Sequence, residues 1–137
     1  MVEFSLSLRR DPVKSKRILI VDDVDFNIEF EAKLIRSLMA ERQEEVEIDT
    51  ADTVAAAMEK IAQNPPYDAM IIDMNLPDGT GVEIAKKARS NSKRTRLAAL
   101  TIYPNEYEQE RDSFDLFLKK PIMLDSFKSS FLRLLEM

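Results

Sequence analysis

Four places in the chain set a reactive polar group at the carboxyl end of an apolar run. Asp22 and Asp23 follow Ile18-Leu19-Ile20-Val21, Asp73 follows Ala69-Met70-Ile71-Ile72, Thr101 follows Leu97-Ala98-Ala99-Leu100, and Lys120 ends the stretch opened by Leu116-Phe117-Leu118. Continuous apolar runs of this length suit strands buried on both faces. Ligands of open α/β sheets bind beyond the carboxyl ends of the strands, so groups spread over about a hundred residues would meet in one crevice. That crevice would hold three carboxylates, a hydroxyl and an ammonium. Adjacent carboxylates repel, and a proton or a cation must compensate for them. Magnesium fits, because it takes one or two carboxylates together with waters and phosphate oxygens. Asp22 and Asp23 supply hard ligands, and Asp73 can act both as a ligand and as a carboxylate nucleophile toward phosphorus. Lys120 can hold a phosphoryl oxygen as a point charge, and the Thr101 hydroxyl can donate to another.

Each residue also has an ordinary reading. Acids before a helix favour its N-terminus, Asp at a strand end makes turns, Thr forms strands, and an isolated lysine is usually a solvated charge. The conjunction of all four at the same ends of successive runs carries the functional inference.

What the chain lacks narrows the chemistry further. The 137 residues include no His and no Cys, which excludes thiolate or imidazole metal sites, cysteine nucleophiles, His-based triads, disulfides and a histidine relay step within the chain. Any metal must therefore be oxygen-ligated: magnesium, manganese or calcium. Gly79 and Gly81 are the only glycines, too few and in the wrong place for a P-loop or a dinucleotide fingerprint. The net charge of -5 argues against nucleic acid or an anionic membrane as partner. Without a membrane-length apolar run or a secretory signal, the expectation is a cytoplasmic protein.

The elements that must position these groups follow from periodicity. Strands are predicted at Arg17 to Asp22, Val46 to Asp49, Ala69 to Asp73, Arg96 to Thr101 and Leu116 to Lys119, the second alternating like an edge strand. A helix from about Asn27 to Glu41 sets Ile28, Phe30, Leu34, Ile35, Leu38 and Met39 on one face, with Glu29, Lys33 and Arg36 opposite. Further helices run from about Thr53 to Gln63, around Ile84 and Ala85 after the turn at Pro77-Asp78-Gly79, and from about Asp125 with a stripe of Leu124, Phe127, Phe131, Leu134 and Leu135. Five strand-helix units predict one domain with a parallel sheet covered by helices on both faces. Residues 1–16 read as an N-terminal extension or linker, with Val2, Phe4, Leu6 and Leu8 alternating against polar residues.

The segments ILIVDD, MIIDMNLPDGTG, LAALT and KKPI resemble, in the same order, the motifs of two-component response-regulator receiver domains, over about residues 17 to 137. The resemblance implies a flavodoxin-like (βα)5 fold, doubly wound, with strand order 2-1-3-4-5. It implies that Asp73 takes a phosphoryl group from a phosphohistidine on a histidine kinase or histidine phosphotransfer protein. It also implies Mg2+ held by Asp22, Asp23, Asp73 and the backbone carbonyl of Asn75. Lys120, before Pro121 and a cis bond, would pair with the phosphate, and Thr101 with Phe117 would form the switch. Such a domain is not an enzyme beyond its own phosphoryl transfer and autodephosphorylation, and here its output would reach a protein target in trans. Asn27 and the segment VEFSLSLRR resemble features of hybrid histidine kinases.

Two departures stand out. The stretch between Thr101 and Lys120 is shorter than the family's by about three residues, roughly one helical turn, which puts a regular fourth helix in question. Tyr103 stands two positions after Thr101, near where dephosphorylating water passes in the family. The competing readings are an interaction module of the same fold that is never phosphorylated, and a phosphatase of the haloacid dehalogenase type. The second needs an acid where this chain has Asn75.

Overall fold

A computed structural model describes residues 15–136, so the alternating segment at Val2 to Arg9 lies outside the described residues. Five parallel strands form one sheet: β1 (Ser15–Val21), β2 (Glu45–Ala51), β3 (Ala69–Asp73), β4 (Arg96–Thr101) and β5 (Leu116–Lys119), in the order β2-β1-β3-β4-β5. This is the predicted 2-1-3-4-5 order, with the reversal between β1 and β3. The helices are α1 (Asp25–Glu41), α2 (Val54–Gln63), α3 (Gly81–Asn91) and α4 (Leu124–Glu136).

Strand alternation divides the interior in two. Leu19, Val21, Met70, Ile72, Leu97 and Ala99 face α2 and α3, while Ile18, Ile20, Ile71, Ala98 and Leu100 face α1 and α4. Every residue of β3 is buried, as its unbroken apolar sequence requires of a central strand. β2 and β5 are the edges and are only partly buried. β1 is described from Ser15, ahead of the predicted start, because Ser15 and Lys16 pair with Glu45 and Val46 of β2; the Arg17 guanidinium lies 3.5 Å from Asp49 and 4.7 Å from the centre of the Tyr67 ring.

Two details differ from the periodicity. The buried face of α1 is Glu31, Ala32, Ile35, Leu38 and Met39, whereas Phe30 turns aside to stack on Phe26 at 6.3 Å. In the fourth unit a ten-residue 3-10 helix, Pro104–Ser113, replaces an α-helix. Its sequence, PNEYEQERDS, has no aliphatic residue and so no stripe for the sheet to cover.

The turn after β3 is a short antiparallel hairpin pairing Asn75–Leu76 with Gly79–Thr80. Asp78 at its tip accepts the N–H groups of Val54 at 2.7 Å and Ala55 at 3.0 Å, which fastens the hairpin to the start of α2. Those two bonds, Val54 first, hold its carboxyl below the usual range. α3 then starts at Gly81 hard against β3: a Cβ there would sit 2.6 Å from Ile72 Cγ2 and 3.0 Å from the Asp73 carbonyl oxygen. Gly81→Ala should therefore destabilise the chain by about 1–3 kcal/mol, the usual range for overpacking, as read by urea unfolding. An unchanged midpoint would mean that α3 can shift away freely.

Candidate functional site

Parallel register places the reactive groups side by side. Val21 pairs with Ile72, Asp73 with Leu100, and Thr101 with Lys119, so Asp22, Asp73, Thr101 and Lys120 each stand at or just past a strand end. The four that the sequence singled out do converge. Lys120 Nζ lies 3.1 Å from Asp73 Oδ2 and 3.6 Å from Asp22 Oδ2. One oxygen from each of Asp22, Asp23 and Asp73 lies within 4.8 Å of the others.

The surroundings decide what these groups do. Asp22 is 0% exposed and Asp73 is 2% exposed, while Asp23 faces solvent. Asp22 Oδ1 accepts the Val24 N–H at 2.9 Å, and the Asn27 amide donates to both Asp22 oxygens at 3.4 Å. Neither Asp22 nor Asp23 caps α1, because the helix begins at Asp25 and its N-cap, Val24, makes no side-chain cap bond. Burial pushes the Asp73 carboxyl above the usual range; the Asn75 N–H at 3.0 Å and the Lys120 charge pull back, Asp22 pushes further, and the net direction is up. For Lys120 burial alone would lower the ammonium, but Asp22 and Asp73 outweigh it and hold it above the usual lysine value. The cluster thus has an excess of negative charge, partly balanced by one ammonium, and one exposed side through Asp23. Three hard oxygens converging beside an opening fit a magnesium-type ion, and none of the groups present would suit a soft metal.

Thr101 is buried, and its Oγ1 accepts the Tyr103 N–H at 3.1 Å, which leaves the hydroxyl proton free to turn toward another oxygen. The ends of β4 and β5 are tied together here, with the Lys120 N–H donating to the Thr101 carbonyl at 2.9 Å. The Lys120-Pro121 bond is cis. Asn75 meets the site through its N–H on Asp73 Oδ1. Phe117 lies on β5, edge-on to Phe114 at 5.4 Å with the Arg111 guanidinium 5.7 Å from its ring centre. The Tyr103 side chain points outward and is 59% exposed.

One residue escaped the sequence reading. Glu31 on α1 is fully buried, and the fields of Asp22, Lys120 and Asp73 all reach it. Its signal was present: it lies three residues after Ile28 and four before Ile35, inside the apolar stripe.

The family model described as Response regulator receiver domain matches residues 18–130. Hybrid signal transduction histidine kinase L of Dictyostelium discoideum is 28% identical over 124 residues, 82% of this chain and 7% of that protein. Acid tolerance regulatory protein ActR of Rhizobium meliloti is 38% identical over 90 residues, 66% of this chain and 43% of that protein. The chain thus spans less than half the length of either relative. Among solved structures, a receiver domain (CheY-like) from Methylobacillus flagellatus matches with TM-score 0.75 and 25% identity over 88% of this chain and 99% of that one. Response regulator protein TrrA from Thermotoga maritima, in complex with Mg2+-BeF, matches with TM-score 0.67 and 30% identity over 87% and 98% of the two chains.

Proposed function

The chain belongs to the response regulator receiver domain family, and from that premise we propose that it is a phosphoacceptor switch in which Asp73 takes a phosphoryl group and so changes a protein-protein interaction. The observation that carries this reading is Lys120 Nζ at 3.1 Å from Asp73 Oδ2, inside a cluster of three carboxylates. An Asp73 oxygen forms the new bond to phosphorus as the donor's phosphorus-nitrogen bond breaks, and the imidazole leaves with a proton. Asp22, Asp23, Asp73 and the Asn75 carbonyl would hold Mg2+, which would supply positive charge to the phosphoryl oxygens. Lys120 then holds one of those oxygens, and the Thr101 hydroxyl turns to a second. Movement of Thr101 is passed along the strand edge to Phe117, the second half of the switch.

The donor we infer is a histidine kinase or a histidine phosphotransfer protein. Phe26, Ile102 and Met123 are exposed, and a groove of about 380 Å3 next to the site is lined by Phe26, Asn27, Phe30, Ile102, Lys120, Pro121 and Ile122. An exposed apolar patch beside the charged centre suits a folded protein donor, because such patches on a surface mark places where another protein docks. No helix among the described residues is long and apolar enough to cross a membrane.

The test is phosphoryl uptake from acetyl phosphate. Intact mass should rise by one phosphoryl group with Mg2+ present and stay unchanged in chelator. No gain under either condition would favour the interaction module that keeps the fold without the modification.

A further inference from the structure

α1 carries one acid within its buried stripe. Glu31 is 0% exposed, and neither carboxylate oxygen has a hydrogen-bond partner. A bare carboxylate in such a place would cost far more than a neutral acid. Glu31 stands one turn beyond Asn27, whose amide touches Asp22, so spacing of four residues puts both on the side of α1 that meets the site.

The fields acting on Glu31 come from Asp22 at the end of β1, Lys120 after β5 and Asp73 at the end of β3. β2 and α4 also pack on α1 and supply none of these charges. Burial, then Asp22, push the carboxyl up to about 9, against Lys120 and with Asp73. In the cation-free protein at neutral pH, Glu31 therefore keeps its proton. Burial is the first cause of this and charge balance adds to it: three carboxylates already face one ammonium, and a fourth negative charge would have no counterpart. A divalent cation among Asp22, Asp23 and Asp73 reverses that balance, and the Lys120 field, which already favours the ionised acid, is then opposed far less.

We propose that Glu31 is a positioning residue of the phosphoacceptor site, neutral in the cation-free protein and shifted toward its ionised form when a divalent cation binds, so that its carboxylate then helps to balance the Lys120 ammonium. The proton goes to solvent, and no bond other than O–H breaks. This rests on the metal reading given under Proposed function. It makes cation binding depend on pH above neutrality, where ordinary carboxylates no longer titrate.

Magnesium alone is the probe. Calorimetric titrations at pH 7, 8 and 9, in buffers of different ionisation enthalpy, give affinity and protons released together. The wild-type affinity should rise about fivefold from pH 7 to pH 9, with release of part of one proton. Glu31→Gln should lose both the slope and the release. Glu31→Met, which fills the space without a polar atom, should do the same and guards against misfolding of the amide variant. A wild-type slope retained in both variants, or a flat wild-type profile, overturns the proposal. A chain that accepts phosphoryl groups but releases no proton on binding Mg2+ sinks this proposal alone, whereas one that binds no Mg2+ sinks it with the metal reading.

Discussion

Asp73→Asn should abolish phosphoryl uptake while leaving the fold at least as stable as the wild type in chelator. A carboxylate oxygen attacks phosphorus with a full negative charge, whereas an amide oxygen does not and would leave a cationic product. A loss of at least about a thousandfold, roughly 4 kcal/mol in barrier, is expected. The fold is spared for separate reasons. The amide oxygen can still accept the Asn75 N–H now at 3.0 Å from Oδ1, and Lys120 keeps Asp22 at 3.6 Å. Burial raises the Asp73 carboxyl, and a raised acid contributes stability at low pH that is lost as pH climbs through its folded value. The charge at position 73 is thus a burden at neutral pH, and its removal offsets the lost ion pair. Intact mass after acetyl phosphate treatment and urea midpoints in chelator check both halves. Labelling equal to the wild type would move the acceptor to Asp22 or Asp23.

The second large effect is on stability and belongs to Glu31. Its carboxyl is raised from 4.5 to about 9 by burial first and Asp22 second. The unfolded chain therefore ionises near pH 4.5 while the folded chain stays protonated, so stability is full below that pH and falls until about pH 9. At pH 7 the accumulated loss is about 3 kcal/mol, a large part of the stability of a domain this size. In metal-free protein, Glu31→Gln should lack this fall. The difference in unfolding free energy between variant and wild type should grow by about 1.4 kcal/mol per pH unit from pH 5.5 to 8.5. Parallel stability curves over that interval would mean that the Glu31 carboxyl is hydrated in the folded state.

These two acids also mark what could be read in the chain. Asp22, Asp73, Thr101 and Lys120 were legible because a continuous apolar run fixes the strand, parallel pairing aligns the strand ends, and the reactive residue comes next in the sequence. The parallel sheet followed from the same rhythm, and its strand order from the family resemblance of the motifs. Glu31 was not legible because charged residues are almost never fully buried, and the apolar stripe includes Phe30, which instead leaves the core to stack on Phe26. The 3-10 helix of residues 104–113 was signalled only by a short segment. A choice between hydrogen bonds three or four residues apart depends on how the ends are tethered, here by Thr101 on one side and buried Phe114 on the other. The Asp78 clamp spans 24 residues, and no local pattern reports such a contact.

That clamp has a consequence for affinity. Asp73, the hairpin and Asp78 form one stretch fixed at β3 on one side and at the start of α2 on the other. A loose loop would have to surrender its conformational entropy each time an ion or phosphoryl group arrived, at about 1–2 kcal/mol for each residue ordered. Here the folding transition orders Asn75 and its neighbours in advance, so the binding step keeps the free energy of its own contacts. Ligand exchange at this site is then governed by the cluster of charges, with little contribution from ordering of the loop that carries them.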